Sequence, residues 1–424
     1  MVDVWLPYGK SDVCVRIPAR NLLGSIEPKQ VTGVEDNKAE IERALNNPIG
    51  SKRLSEIAQA KNKVAVVVDD FTRSTPSHIM LPSVLSELAI AGVKDENVII
   101  IFGCGTHRAV KPEEAEKLIG EEVINRVKTI SHDCRAEDLV YIGKTKWGNK
   151  VRLNRFFTEA DVKVLVGDVG FHYYAGYGGG RKSVMPAISC EETISHNHAM
   201  LLDPNARTGV LEGNPVHEDM TEAARMAKVD FILNVVTNGK GEIVKAFAGD
   251  LEQAFLEATK LVDEMYRITV DRRADIVVVS PGGYPADINL FQAYKALDNA
   301  LEATKRGGIV IIVAECPEGY GNQVFYDWMT RLEDLKKAER QVKRHFELGG
   351  HKAYYLLKAL KNHQIIIVSS LPDYYANGVF KLKTARAVND AIREALKTGS
   401  TQTKVWVMPH GNSTLPEVKP IENA

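Results

Sequence analysis

Several features that mark common protein classes are missing from this chain of 424 residues. No apolar run approaches the roughly 18–20 residues needed to cross a bilayer as a helix. Neither charge dominates: 54 Lys and Arg stand against 55 Asp and Glu, a net charge of −1. So nothing in the composition draws nucleic acid or an anionic membrane surface. Cysteine is scarce, with five residues (Cys14, Cys104, Cys134, Cys190, Cys316), scattered and without a C-x-x-C. That odd, dispersed set fits neither a disulfide framework nor a zinc knuckle, and reads as reduced thiols. The opening M-V-D-V-W-L-P-Y-G-K lacks the apolar core of a secretory signal, and there is no internal repeat or low-complexity segment. The expectation is a cytoplasmic, soluble protein with no nucleic acid and no membrane among its partners. Hydrophobic residues at 44% support sizeable cores, and the length allows two or three domains.

What is present is an alternation of strands and helices. Residues 2–18 alternate apolar and polar around a Gly-Lys turn and predict a hairpin, and residues 37–60 read as a helix. Val64 to Val68, Val98 to Phe102, Val127 to His132 and Val162 to Val166 are β-branched runs that predict buried parallel strands. Helical stretches lie between them, at His78 to Ala91 and from Pro112. This predicts a doubly wound α/β domain. Polar clusters follow the strand ends: Asp69-Asp70-Phe71-Thr72-Arg73, then Gly105-Thr106-His107-Arg108, then a glycine-rich stretch. Ligands of open α/β sheets bind outside those ends, which places Asp70, Arg73, His107 and His172 around one crevice. Taken singly, Asp70 reads equally as a helix cap, Arg73 as a surface cation and His107 as a structural imidazole.

The organising stretch is H-Y-Y-A-G-Y-G-G-G-R-K-S, His172 to Ser183. Gly176 and Gly178, Gly179 and Gly180 let the backbone turn tightly and approach a ligand. Arg181 and Lys182 then stand where a helix is expected to begin, a pattern that suits an anion. A P-loop would need Gly where Arg181 stands. The imidazoles of His172, His196 and His198 around the loop suit a bound, reactive, anionic cofactor better than a nucleotide triphosphate.

Beyond a hairpin at Phe231 to Val244 and a helix from Leu251 to Tyr266, the polar joint Asp271-Arg272-Arg273 marks the expected boundary. The expectation is two α/β domains with mostly parallel sheets and a cleft between them: residues 1–270 holding a cofactor, and residues 271–424 contributing substrate contacts. In the second, Ile276 to Val279, Ile309 to Val313, Ile365 to Val368 and Val405 to Met408 predict strands, and the charged run 331–344 predicts a solvated helix. Gln292 and Lys295 fall on one helix face, suited to a substrate carboxylate or simply to solvent.

Five motifs in order resemble the lactate racemase family, the nickel-dependent 2-hydroxyacid racemases: D-x-T-R-x-x-P at Asp70 to Pro76, G-T-H-R at Gly105 to Arg108, the loop His172 to Ser183, Asn197-His198, and N-x-x-Q-x-x-K at Asn289 to Lys295. The resemblance runs over nearly the whole chain. It implies a pyridinium-3,5-bisthiocarboxylic acid mononucleotide carrying nickel, joined through a thioamide to Lys182, with His198 as the protein's metal ligand. Soft sulfur donors and one imidazole suit square-planar nickel. It implies His107 and His172 as the acid/base pair, and Arg73, Gln292 and Lys295, next to Phe291, as the substrate holders. Asp70, Thr72, Gly178, Gly179, Gly180 and Arg181 are then expected around the cofactor, and cofactor-maturation enzymes among the partners.

Two positions depart from the family pattern. Phe291 stands where its lactate enzymes can carry Tyr, and His351 near where they carry an aromatic residue. These leave the substrate open between lactate and another 2-hydroxyacid, and His351 reads equally as a surface histidine. A phosphotransferase built on the glycine loop and a non-catalytic small-acid binding protein are the readings from other classes.

Overall fold

The computed structural model describes residues 1–332, 334–400 and 402–419. The chain forms two compact units, one of residues 30–264 and one of residues 1–29 with 265–424. Among the described residues no helix is long and apolar enough to cross a membrane.

The unit of residues 30–264 is built on a six-stranded sheet. Its strand order is Ile243–Gly249, Phe231–Thr237, Val162–Asp168, Val64–Asp69, Val98–Gly103, Lys128–Ser131. All neighbours are parallel except the first pair, which is the expected hairpin with an antiparallel edge. The central strands are β-branched because both faces are covered: Val64, Val66, Val68, Val164 and Val166 are buried in one core with Met80, Leu81, Val84, Leu85 and Leu88 of the helix Ser77–Ile90. From Val64–Asp69 the chain runs outward to Val98–Gly103 and Lys128–Ser131, then returns to Val162–Asp168 on the other side. The strand order therefore reverses between Val64–Asp69 and Val162–Asp168, the place where such sheets open a ligand crevice.

One expected helix is broken. Residues 37–60 form a helix only at Asn37–Asn46 and a single turn at Leu54–Ile57. The Asp36 side chain caps the first from the Ala39 N–H, a bond typically worth about 1 kcal/mol. Pro48 stops it, since its ring disfavours helical backbone at Asn47 and it has no N–H to continue the ladder.

The second unit holds a six-stranded, all-parallel sheet ordered Lys383–Thr384, Gln364–Val368, Thr304–Val313, Ala274–Val279, Val405–Met408, Leu22–Ser25. The four strands expected after residue 271 are all in it. The expected division at 270/271 is corrected in two ways: the crossing falls at 264/265, and residues 1–29 belong to the later unit. The hairpin Val2–Tyr8 with Ser11–Ile17 buries Leu6, Val15 and Ile17 in one core with Ile276, Val278, Ile311 and Val388. Asn389 fastens it, accepting from Arg16 N–H at 2.8 Å and donating to Cys14 C=O at 3.0 Å. A two-stranded ribbon cannot cover its own apolar face and needs a sheet or helix to pack on. The charged run forms the helix Leu335–Arg344, capped by Asp334, but it buries Ala338 and Val342 rather than being solvated all round; Glu333 lies outside the described residues.

Candidate active site

The strand Val64–Asp69 ends by delivering two carboxyls to the reversal point. Asp70 is 3% exposed. Its Oδ1 accepts from the Thr72 backbone N–H at 3.0 Å and the Thr72 hydroxyl at 2.5 Å, and its Oδ2 meets His107 Nδ1 at 2.7 Å. Burial alone would raise this carboxyl, but the bonds from His107 and Thr72 outweigh it and hold Asp70 below the usual carboxylate value. An ionised carboxylate only accepts, so His107 Nδ1 carries a proton, and in the neutral ring the lone pair is on Nε2. His107 follows the next strand, Val98–Gly103, on a turn where Gly105 has φ +51° and the His107 N–H donates to Cys104 C=O at 2.7 Å.

His172 follows the strand Val162–Asp168. It pairs with Gly176 in a two-residue ribbon, Phe171–His172 against Gly176–Tyr177. Gly176 is required: φ is +76°, and a Cβ would stand 2.3 Å from Val210 C=O. The Ala175 N–H donates to His172 Nδ1 at 3.3 Å, so the neutral ring carries its proton on Nε2. The ring stacks on Tyr173 at 4.9 Å and meets the edge of Tyr174 at 4.5 Å. Burial first, then the Lys182 and Arg73 cations, keep His172 neutral well below the usual imidazole range. The two imidazoles thus present opposite faces of acid–base chemistry. His107 offers a lone pair at Nε2, and His172 offers a proton there.

Lys182 lies in a one-turn segment, Gly180–Ser183, rather than at the start of the longer helix expected there. Burial first, then the Arg73 and Arg181 charges, hold its amine well below the usual lysine value, while Asp69 and Asp168 pull the other way. Beneath it the Thr75 hydroxyl lies 2.6 Å from Asp69 Oδ2 and 2.7 Å from Asp168 Oδ1. One hydroxyl proton cannot serve both, so one carboxyl must be protonated. Burial, then the neighbouring Asp168, push Asp69 up to about 7.

Arg181, expected among the cofactor contacts, instead turns inward and is 2% exposed. Its guanidinium donates to Ala175 C=O at 2.8 Å, Gly179 C=O at 3.1 Å and His217 Nδ1 at 3.0 Å, and lies 4.4 Å over the Phe255 ring. It ties the glycine loop from behind. The loop's own donors are also engaged: Gly178 N–H reaches Gly170 C=O and Gly180 N–H reaches Asn234 Oδ1. A phosphate cradle of free backbone donors is therefore not what this loop presents at those two positions.

His198 is the eighth residue of the helix Glu191–Ala199 and is 4% exposed. Its Nδ1 meets Asn197 Oδ1 at 3.0 Å, and its ring meets Tyr174 edge-on at 5.1 Å. Burial, then Lys182, lower it to about 3, so it is a neutral imidazole, the form that binds metals. His196 points elsewhere: it is exposed, with Nε2 3.0 Å from Trp147 C=O. The structure therefore brings Asp70, Thr72 and His107 into direct contact, and sets Arg73, His172, Lys182 and His198 within electrostatic reach of one another. Asp69, Asp168, Tyr174 and the arrangement of Asn197 were not singled out from the sequence.

In the other unit, Asn289 caps the helix Leu290–Glu302 through the Gln292 N–H, which puts Phe291, Gln292 and Lys295 in its first turns. His351 is fully buried, which corrects the surface alternative. Its Nδ1 accepts from Gly349 N–H at 3.2 Å, and its ring stacks on Phe346 at 5.5 Å and faces the edge of Phe291 at 6.4 Å. The adjacent Lys352, 1% exposed, bonds to Phe291 C=O and sits 4.0 Å over the Phe291 ring. Burial, then Lys295, hold its amine well below the usual lysine value.

His217, the acceptor for Arg181, is lowered to about 3 by burial first and then by Arg181 and Arg225. Between that value and the unfolded value of about 6.5 the unfolded chain binds the extra proton, so stability falls as pH drops through the window. From pH 7 to pH 5 the natural protein is expected to lose as much as about 2 kcal/mol more than His217→Gln, which keeps an acceptor but cannot titrate. Urea unfolding at the two pH values checks this, and equal losses would contradict it.

The chain matches the family model described as Lactate racemase N-terminal domain over residues 8–209, and that described as Lactate racemase C-terminal domain over residues 269–415. It is 35% identical to a curated protein named lactate racemase from Thermoanaerobacterium thermosaccharolyticum, covering 98% of this chain and 99% of that one. The chain belongs to the lactate racemase family. A second curated lactate racemase, from Lactiplantibacillus plantarum, is 33% identical over 97% of this chain and 99% of its own. Among solved structures, a lactate racemase apoprotein from Thermoanaerobacterium thermosaccharolyticum superposes with a TM-score of 0.92 at 34% identity, covering 98% of this chain and all of that one. A Thermotoga maritima protein at 20% identity, TM-score 0.67, covering 92% of this chain and all of that one, shares the fold. The family's racemase chemistry makes this chain an isomerase, with the two-unit α/β architecture expected for it.

Proposed function

We propose that this protein racemises a small 2-hydroxyacid, lactate first, with a nickel-bearing pyridinium-3,5-bisthiocarboxylic acid mononucleotide carried on Lys182 and matured by separate enzymes. The observation that carries the reading is the placement of Lys182 on the one-turn segment Gly180–Ser183 at the sheet's reversal point, within electrostatic reach of His172 and His198, with burial lowering its amine well below the usual lysine value. The names of the curated relatives support lactate as the substrate. The residues fit such a cofactor. Burial that lowers the Lys182 amine below the usual lysine value favours its nucleophilic free-base form, and the neutral, oriented His198 ring offers one soft-to-borderline donor. Among the described residues no group of three or more His, Cys, Asp or Glu converges on a metal position, which suits a metal that takes most of its donors from an organic ligand.

When bound, that group supplies an acceptor for the hydrogen on C2. The chain's own residues do the rest. His107, its lone pair set outward by Asp70, accepts the hydroxyl proton, so that a 2-oxoacid can form rather than a carbanion beside an ionised carboxylate. His172, holding a proton on Nε2, returns one to the other face of the oxoacid. In the reverse direction the roles exchange. Arg73 holds the carboxylate and limits its motion to the reorientation that inverts the centre, and Gln292 and Lys295 are the further substrate holders that the family resemblance implies.

His351 and Lys352 beside Phe291 favour a second reading of the substrate alone, a 2-hydroxyacid with a longer or polar side chain such as malate, 2-hydroxybutyrate, phenyllactate or a sugar acid. A panel of these with lactate separates the two. Deuterium placed at C2 of whichever acid turns over is expected to be largely retained after inversion in ordinary water. Label lost to solvent on every active substrate would rule out return of the same hydrogen, and an inert lactate beside an active relative would move the substrate while leaving the chemistry in place.

A further inference from the structure

Asp219, on the helix Pro215–Met226, is fully buried, and its hydrogen-bond partners Thr145, Asn149 and Asn197 are all neutral. Its Oδ1 accepts from the Thr145 hydroxyl at 2.6 Å. Its Oδ2 accepts from Asn149 Nδ2 at 2.8 Å and from Asn197 Nδ2 at 2.9 Å. Burying a carboxylate among neutral donors is costly, and an apolar residue of the same size would pack there at less expense. The arrangement has a directional consequence. The Asn197 amide donates both of its N–H bonds to acceptors that cannot donate back, the Asp219 carboxylate and Val216 C=O at 3.0 Å. Rotating that amide by half a turn would aim its oxygen at two acceptors at once. Its oxygen is therefore fixed on the opposite side, 3.0 Å from His198 Nδ1. An oxygen accepts only, so His198 must carry its proton on Nδ1 and its lone pair on Nε2.

We propose that Asp219 is a positioning residue that acts through the Asn197 amide to hold His198 in the Nδ1–H tautomer, which leaves the lone pair on Nε2, the nitrogen that would bind a metal. The use of that nitrogen rests on the nickel reading above; the tautomer does not. The logic is that of a carboxylate behind a metal-binding imidazole, with an amide inserted between the two. A direct carboxylate would pull the imidazole towards imidazolium. The intervening amide orients the ring without adding charge next to it. Thr145 and Asn149 complete the carboxylate's bonds and are not part of the directional chain.

The test reads the tautomer in protein free of metal and cofactor. In 15N-histidine-labelled protein, long-range 1H–15N correlation is expected to show His198 as the Nδ1–H form. An Nε2–H ring in the natural protein overturns the proposal at once, whether or not any variant folds. In Asp219→Asn the partner can donate as well as accept, only Val216 C=O still holds the Asn197 amide, and His198 is expected to show a detectable fraction of the Nε2–H tautomer. Thr145→Val removes a hydrogen bond from the same carboxylate and opens the same buried cluster, but leaves the amide locked. It is expected to lose stability while keeping the single tautomer. A merely structural role predicts the same tautomer pattern in both variants, and that result also overturns the proposal. In cofactor-loaded protein, Asp219→Asn is expected to lower nickel affinity roughly 10–100-fold, the usual cost of removing an outer partner of a metal-binding imidazole, read as metal per protein against a competing chelator. A mixed tautomer with unchanged nickel affinity would support the relay and sink instead the assignment of His198 as a ligand.

Discussion

Lys182→Ala is expected to abolish turnover and, with it, the added mass of active protein. Intact active enzyme should weigh more than its sequence by one nucleotide-sized adduct, and peptide mapping should place that adduct on Lys182. The amine is suited to this because burial and the Arg73 and Arg181 charges outweigh the pull of Asp69 and Asp168 and lower it well below the usual lysine value, which favours the nucleophilic free base. Lys182→Arg should fail equally, since a guanidinium keeps the charge and has no nucleophilic nitrogen. The fold should survive both changes. The residue lies on a one-turn segment that Arg181, not Lys182, ties to the loop. Turnover by Lys182→Ala, or full activity in protein of unmodified mass, would remove the central claim of the proposed function.

His107→Ala and His172→Ala are each expected to slow racemisation by roughly 10²–10⁴-fold, the range for a positioned acid or base. Because the two enantiomers of the substrate are equal in free energy, kcat/KM must fall by the same factor in both directions. The two histidines should differ in what else disturbs them. Asp70→Asn leaves one oxygen, which the two Thr72 donors claim, so the amide N–H faces His107 Nδ1 and favours the other tautomer, which should reproduce much of the His107→Ala loss. It should add little on top of His107→Ala, since two residues acting as one unit are not additive. His172 takes its tautomer from a backbone N–H, so no side-chain change can imitate that effect. Near-normal kcat/KM in either alanine variant would undo the acid/base assignment.

The frame of the molecule was legible in the sequence where burial is two-sided. Runs such as Val64 to Val68 and Ile276 to Val279 must be covered on both faces, and only a parallel α/β sheet does that for several runs in turn. The polar clusters at strand ends were legible for the same reason, because the sheet's order tells where a crevice opens. What escaped were decisions made between distant residues. Nothing in Leu6, Val15 or Ile17 says which sheet will bury them. Arg181 follows a glycine loop and looks like a ligand; its three bonds to Ala175, Gly179 and His217 exist only once the loop has closed around it. The Asp69–Thr75–Asp168 cluster joins two strands through one hydroxyl, and Asp219 reaches His198 through an amide, so neither has a spacing to be read. The break at Pro48 was the exception: its signal was local and in plain view.

The placement of residues 1–29 with residues 265–424 sets an order of events during synthesis. The hairpin leaves the ribosome before the strands that cover it, and can bury Leu6, Val15 and Ile17 only when strands such as Ala274–Val279 and Thr304–Val313 exist. At about 5–20 residues per second that interval is on the order of tens of seconds. Residues 30–264 carry their own core and can be complete before then. The chain thus finishes its middle before its beginning. For that interval the strands Val2–Tyr8 and Ser11–Ile17 are a ribbon with an uncovered apolar face, a ready client for a chaperone that holds emerging chains.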